Sequence, residues 1–235
     1  MTPLLLLIFG VAPTTAVGTD LWFAALTKIV ASPMHHSAAL IDWKVVRRLW
    51  LGSLPGSFIT VLLLKLGILS LAPAYLQIGL AAAVALTSVG LMFQRRLHNL
   101  GKKLRLHEAE RFLTFQPGLT VLAGLFLGIM VTVTSVGAGA LGTVFLTYLY
   151  PSRLTPARLV ATDIVHAIPL AIFAGIGHLL IGNVDFALLG SLLLGSIPSV
   201  WAGVKLSMRL SHTRLRLALA IILAFVALRL FWNSL

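Results

Sequence analysis

The sequence contains no cysteine, and only two glutamates and four aspartates among 235 residues. Without cysteine there is no disulfide, no thiolate metal site and no thiol nucleophile. Both glutamates, Glu108 and Glu110, fall in one polar stretch, so carboxylate chemistry elsewhere is confined to the aspartates. Neither H-E-x-x-H nor G-x-S-x-G occurs. No metal site and no cofactor is expected. Charged residues make up 10% of the chain, and no polar region offers a soluble domain.

What is present is apolar: 59% of residues are hydrophobic and the mean hydropathy is +1.01. The apolar segments run over 3–12 (short), 14–32, 46–66, 73–93, 118–136, 139–150 (short), 156–181, 184–208 and 213–232. Most approach the ~20 residues that a helix needs to cross hydrocarbon. The sequence therefore predicts an all-α polytopic membrane protein. Eighteen lysines and arginines give a net charge of +12. In such a chain this records basic loops held on the cytoplasmic side rather than nucleic-acid binding. The longest polar gap, 94–111, holds six basic residues and both glutamates. It divides the chain into a first repeat (1–93), a basic cytoplasmic linker (94–117) and a second repeat (118–235).

The halves are copies. Residues 13–55 laid on 156–198 without a gap give fourteen identities in forty-three positions. They pair Pro13 with Pro156, Thr19 with Thr162, Asp20 with Asp163, His35 with His178 and Asp42 with Asp185. Gly52-Ser53-x-Pro55 likewise pairs with Gly195-Ser196-x-Pro198. With 94–111 placed inside, fifteen of the eighteen basic residues also fall inside, and the turns 11–15, 67–72 and 176–185 carry none. Loop 33–45 then lies inside and its copy 176–185 outside, which makes the repeats inverted. Inverted repeats meeting near mid-membrane are an architecture of secondary transporters.

Residues 118–150 are too long for one span and are interrupted by T134-S-V-G-A-G-A140. A broken helix is expected there, its second half pointing N–H groups inward at an anion; close helix packing by small residues is the alternative. The matching half-helix of the first repeat is residues 1–12, whose glycine turn would fall before Met1. That stretch lacks the basic start of a signal peptide and is expected to be structural.

S135-V-G-A-G-A140, the T-P-L-L-L-L-I-F-G run at 2–10, A16-V-G-T-D-L21 with L159-V-A-T-D-I164, and H35-H36…I41-D-W43 together resemble the sulfite exporter TauE/SafE family of membrane transporters. The likeness covers essentially the whole chain. It implies movement of small sulfur-containing anions, sulfite or organosulfonates, across a bacterial inner membrane. Two departures stand out: the first glycine turn is missing, and G137-A-G-A replaces a run of three glycines.

On this reading Thr19, Thr162, Ser135, Gly137 and Gly139 are the candidate substrate-binding residues. Asp20, Asp163 and His166 are candidates for coupling or for bracing the site. Each Asp lies seven residues beyond a helix-starting proline, ~10 Å into the span. A charge at such depth costs ~2.5–3.5 kcal/mol on insertion scales and needs a partner or water. Asp163 has His166 at i+3, where the first copy has Phe23. A proton carried by Asp163 and His166, with protons as coupling ion, stands beside a purely structural reading in which each Asp accepts N–H groups of a half-helix tip. An ionised Asp repels an anion, so direct substrate contact requires a proton, donors or a place beside the substrate.

Lys28 is expected to snorkel to the inner surface. His35 and His178 are expected to be solvated at helix ends. Gly52-Ser53-x-Pro55 and its copy are expected to allow close packing and a kink, with pocket lining as the alternative. Asp42 and Asp185 read as helix caps. An intramembrane enzyme and a non-transporting scaffold subunit are the competing classes, set apart from a transporter by a polar cavity between Thr19 and Thr162.

Overall fold

A computed structural model describes residues 1–31, 40–68, 73–107, 109–137, 139–207 and 212–234. The described residues form helices and no strand: α1 (Thr2–Leu7), α2 (Pro13–Ala31), α3 (Trp43–Lys65), α4 (Pro73–Met92), α5 (Gln94–His107), α6 (Ala109–Thr134), α7 (Ala140–Leu149), α8 (Pro156–Leu180), α9 (Phe186–Ser207) and α10 (His212–Ser234). Three contain stretches long and apolar enough to cross a membrane: Tyr75–Met92, Thr114–Thr134 and Pro156–Leu180. Shorter apolar helices occupy Ala140–Leu149, Phe186–Ser199 and Ala220–Leu230. The chain is a multi-pass helical membrane protein.

Local chemistry sets the helix starts. Asp42 caps α3 by accepting Val45 N–H at 3.3 Å, and Asp185 caps α9 by accepting Leu188 N–H at 2.9 Å, as the sequence led us to expect. Thr155 caps α8 from the residue before Pro156, whose missing N–H costs nothing at a first helical position. The polar stretch 94–111, expected as a linker, is largely helical. It comprises α5 followed by the start of α6, and α5 lies against α7. There the Gln94 amide donates to Thr147 Oγ1 at 3.0 Å, and Gly101 sits so close to the Tyr148 carbonyl that a Cβ would collide with it.

Glycines set the closest helix pair. A Cβ on Gly52 of α3 would strike Val121 O and Leu125 N of α6, while one on Gly124 or Gly128 of α6 would strike Leu49 or Ser53. The expected close packing at Gly52 is present. Its copy, Gly195, has nothing within 4 Å of the corresponding position. Beside this pair lies the main apolar cluster, with Leu49, Leu127, Leu141, Leu146 and Tyr150 all buried.

α2 and α8 cross with opposite chain direction: Gly18 meets His178 and Asn183, while Trp22 Nε1 donates to Gly175 O at 3.0 Å. One end of the bundle collects the start of α2, the end of α8 and the termini of α3, α4 and α6 around Thr14, Leu64, Leu76, Val133 and His178. The opposite end carries Arg48, Arg153 and Arg158. Arg153 binds Asp42 through two hydrogen bonds of 2.5 and 2.9 Å, and Arg48 donates to Tyr150 Oη at 3.3 Å.

Candidate functional site

The helix ending at Thr134 and the helix beginning at Ala140 are joined by backbone that no α-helix contains. Ser135 adopts φ 55°, a left-handed conformation that costs a non-glycine residue of order 1 kcal/mol or more and collects at functional sites. Gly137 and Gly139 follow at φ 117° and 134°, where a side chain would be strained. The Thr134 hydroxyl accepts Val136 N–H at 3.1 Å and fixes the exit from α6. The expected break is therefore present at its expected place. Ala138, inside it, lies outside the described residues, as does His35.

Asp163 on α8 reaches the start of α7. A Cβ on Gly142, three residues into the helix from the Gly139 cap, would collide with Asp163 Oδ1. Gly142 is thus required to admit the carboxylate, a role the sequence did not disclose. Asp163 is 4% exposed and its Oδ1 has no hydrogen-bond partner. One turn along the same face, His166 is fully buried with Nδ1 unpartnered, while its Nε2 lies 3.0 Å from Ser53 Oγ of α3. Trp50 Nε1 donates to the His166 carbonyl at 3.2 Å and pins the same turn. Ser135 Oγ is also buried and unpartnered. Buried polar groups in folded proteins are nearly always satisfied. Three of the five unpartnered atoms among the described residues belong to Ser135, Asp163 and His166.

Asp20 stands differently. Its Oδ2 accepts from Thr2 N–H at 2.7 Å, from the Thr2 hydroxyl at 2.6 Å and from the Met1 amino group at 3.1 Å. The first-copy aspartate is satisfied at the start of α1, whereas the second retains a free oxygen at the start of α7. Lys28, half-buried on α2, lies within electrostatic reach of Asp163 and Asp20.

Thr19 and Thr162 are fully buried and have no hydrogen bond to Ser135, Asp163 or His166 among the described residues. Each accepts a backbone N–H from the helix start of the other half: Asp185 N–H to Thr19 Oγ1 and Asp42 N–H to Thr162 Oγ1, both at 3.1 Å. The sequence assigns Ser53 a packing part first and pocket lining as the alternative. A signal was available, because Ser53, Ser57 and Thr60 form a polar line on one face of α3, all buried. His178 is a correction: it is 3% exposed, not solvated, because α2 at Gly18 and α6 at Thr132 close over the last turn of α8.

The chain matches the family described as "Sulfite exporter TauE/SafE" over residues 1–230. It is 36% identical over 236 residues to the "Probable membrane transporter protein YjnA" of Bacillus subtilis (strain 168), covering 98% of this chain and 89% of that protein. It is 27% identical over 205 residues to the "Probable membrane transporter protein YdhB" of the same organism, covering 86% and 78%. No solved structure matches.

Proposed function

Because the chain belongs to the sulfite exporter TauE/SafE family of membrane transporters, we propose that it moves small sulfur-containing oxyanions of the sulfite or organosulfonate class by alternating access, with the substrate held at the break between α6 and α7. The observation that carries this reading is the set of unpartnered buried atoms at and behind the break: Ser135 Oγ in the turn, Asp163 Oδ1 beside Gly142 and Gly139, and His166 Nδ1 one turn further along α8. Broken backbone survives at membrane depth where protein or a wet cavity surrounds it, and a helix start within it favours negative charge. Ser135 and the N–H groups at Gly137 and Gly139 contact the anion. Asp163 stands beside the substrate, its repulsion offset by Lys28, and shares a proton with His166 as the coupling ion.

The reciprocal pairs Thr19–Asp185 and Thr162–Asp42 support a two-fold exchange between inverted repeats. They give the two threonines a bracing part at the repeat interface, against which one half rocks on the other. On this reading the membrane is a bacterial inner membrane and 94–111 lies on the cytoplasmic side.

Flux of sulfite and of methanesulfonate into proteoliposomes, with and without a pH gradient, tests the proposal. We expect flux of at least one sulfur anion, strongly reduced in Ser135→Ala. Flux no greater than in protein-free vesicles for every sulfur anion tried would overturn it.

A further inference from the structure

The two halves of the chain are tied unequally at the two ends of the bundle. At one end Arg153, between α7 and α8, donates from Nε and Nη2 to the Asp42 carboxylate at 2.5 and 2.9 Å. Asp42 starts α3 in the first half, so this bond crosses from one half to the other. At the other end Asp185, the counterpart of Asp42, likewise caps its helix and gives its N–H to a buried threonine. It makes no ion pair among the described residues. Continued upstream, the repeat register sets Gly10 against Arg153, and nothing lies within 4 Å of the Gly10 Cβ position.

Basic residues surround the pair. Helix starts favour negative charge, yet neither α3 nor α8 has an acid in its first turn. Lys44, Arg47 and Arg48 occupy the first two turns of α3 instead, and Arg158 the first turn of α8. Arg48 is held by Tyr150 Oη, and Arg158 lies within electrostatic reach of Asp42. A cytoplasmic face asks for basic residues, but not for one of them to grip a buried carboxylate of the other half.

The two partners differ in access. The Arg153 side chain is 38% exposed and that of Asp42 3%, so an anion arriving at this end meets the guanidinium. A guanidinium fork donates to two oxygens of a sulfonate much as it does to those of a carboxylate. When Arg153 turns to the newcomer, Asp42 keeps the Val45 N–H and the nearby charge of Arg158. Its buried charge is then not abandoned. Behind the pair, Ile41 and Val46 close on Ala161 of α8. The Asp42 N–H reaches Thr162, one residue before Asp163. The seam that the pair holds shut therefore runs up to the aspartate beside the break.

We propose that Arg153 is the recognition residue for the transported oxyanion at this end, which the charge pattern places inside. It alternates between Asp42, which keeps the seam between α3 and α8 closed, and the anion, whose arrival releases that seam. Only hydrogen bonds change hands, and no covalent bond forms or breaks. The inference rests on the proposed transport function for the class of anion, and adds a contact outside the α6–α7 break.

The absence of cysteine supplies the test. Ala161→Cys in the full chain places a single thiol at a seam position only 6% exposed. Its reaction with a membrane-impermeant maleimide is followed in inside-out vesicles, on equal amounts of inserted protein. Methanesulfonate should accelerate the reaction, and an equal concentration of sodium chloride should not. Arg153→Gln on this background should raise the rate without anion by about three- to tenfold, the weight of partly screened hydrogen bonds to a charge. It should also abolish the response to methanesulfonate. Arg153→Lys keeps the charge but loses the fork, so it should stay near the starting rate and need more methanesulfonate for the same response. That variant decides the matter should Arg153→Gln fail to insert. Ser135→Ala, which disables the site at the break, should leave the response in place. No response to methanesulfonate, a response undiminished in both Arg153 variants, or one lost in Ser135→Ala would each overturn the proposal. The last two outcomes would put recognition at the break and leave the proposed function standing. A response that needs Arg153, in a protein with no flux of any sulfur anion, would count against that function and not against this site.

Discussion

The hydroxyl of Thr162 on α8 accepts the backbone N–H of Asp42, 3.1 Å away and 120 residues earlier in the chain. Asp42 in turn caps α3 and binds Arg153, which follows α7. One hydroxyl thus ties the start of α3 to α8 at the end of the bundle where α7 finishes. Thr19 repeats the tie toward Asp185 and α9.

Thr162→Val keeps the shape of the side chain and removes the acceptor, leaving the Asp42 N–H buried without a partner. That should cost about 1–3 kcal/mol, read as a lower unfolding temperature in detergent, while Thr162→Ser stays close to wild type. Thr19→Val should behave alike. If either valine variant kept its stability and lost substrate affinity alone, these residues would be ligands and not braces.

The Asp42–Arg153 pair predicts a pH dependence. Burial disfavours the charged carboxylate, but the hydrogen bonds from Arg153 and Val45 and the charges of Arg153 and Arg158 outweigh it and hold Asp42 below its ordinary 3.8. A carboxyl lowered in the folded state adds stability that is present above the unfolded value and is lost as pH falls through the folded one. The deficit of Asp42→Asn should therefore be constant from about pH 5 to 8 and shrink below about pH 4. Arg153 is 38% exposed, so salt should reduce part of the deficit. A deficit unchanged from about pH 7 to about pH 3 would remove the ion pair from the account.

Sidedness follows from the charge pattern. Reporter tags within 94–111 should be cytoplasmic, and a tag near Gly182 should lie on the far side of the membrane. Tags on the same side would remove the inverted-repeat reading and the substrate site placed by it.

The helices, the break and the capping aspartates were legible because each has a local cause: apolar run length, glycine content, or a short polar side chain just before a helix. The helix within the polar linker 94–111 was not legible because its polarity hid Leu97, which packs against the cluster of Leu91, Val144 and Ala220. The partners of Asp163 were illegible for another reason. Gly142 resembles any small residue on a short helix, and only the crossing of α8 over α7 shows that a carboxylate occupies the space of its missing Cβ. His178 was misjudged because a helix end was equated with the surface, whereas α2 and α6 cover it.

Gly142→Ala should act on transport more than on insertion. The added Cβ drives Asp163 from the start of α7, and a displacement of about 1 Å in a binding site can cost up to about 10²-fold in rate. Gly137→Leu and Gly139→Leu should abolish flux, since both occupy positive-φ positions at the break. Normal flux in all three, measured on equal amounts of inserted protein, would leave residues 134–140 as a packing surface.

Asymmetry between the copies separates the two parts an aspartate can play. Asp20 is satisfied by Thr2, whereas Asp163 keeps a free oxygen and has His166 one turn away, itself held by Ser53. Proton coupling should accordingly depend on Asp163 and His166 and not on Asp20. Asp163→Asn preserves shape but cannot titrate; it should still exchange substrate and lose its response to a pH gradient. His166→Gln should match it, and the double variant should be no worse than either, because residues acting as one unit are not additive. Ser53→Ala frees His166 Nε2 without touching the proton-bearing groups, so it should shift the pH profile of flux and not flatten it. Asp20→Asn should lower stability and leave the profile unmoved. Were Asp163→Asn and His166→Gln to keep the wild-type pH response, the aspartates would be braces for the two half-helices, and the coupling proton would have to be sought elsewhere in the chain.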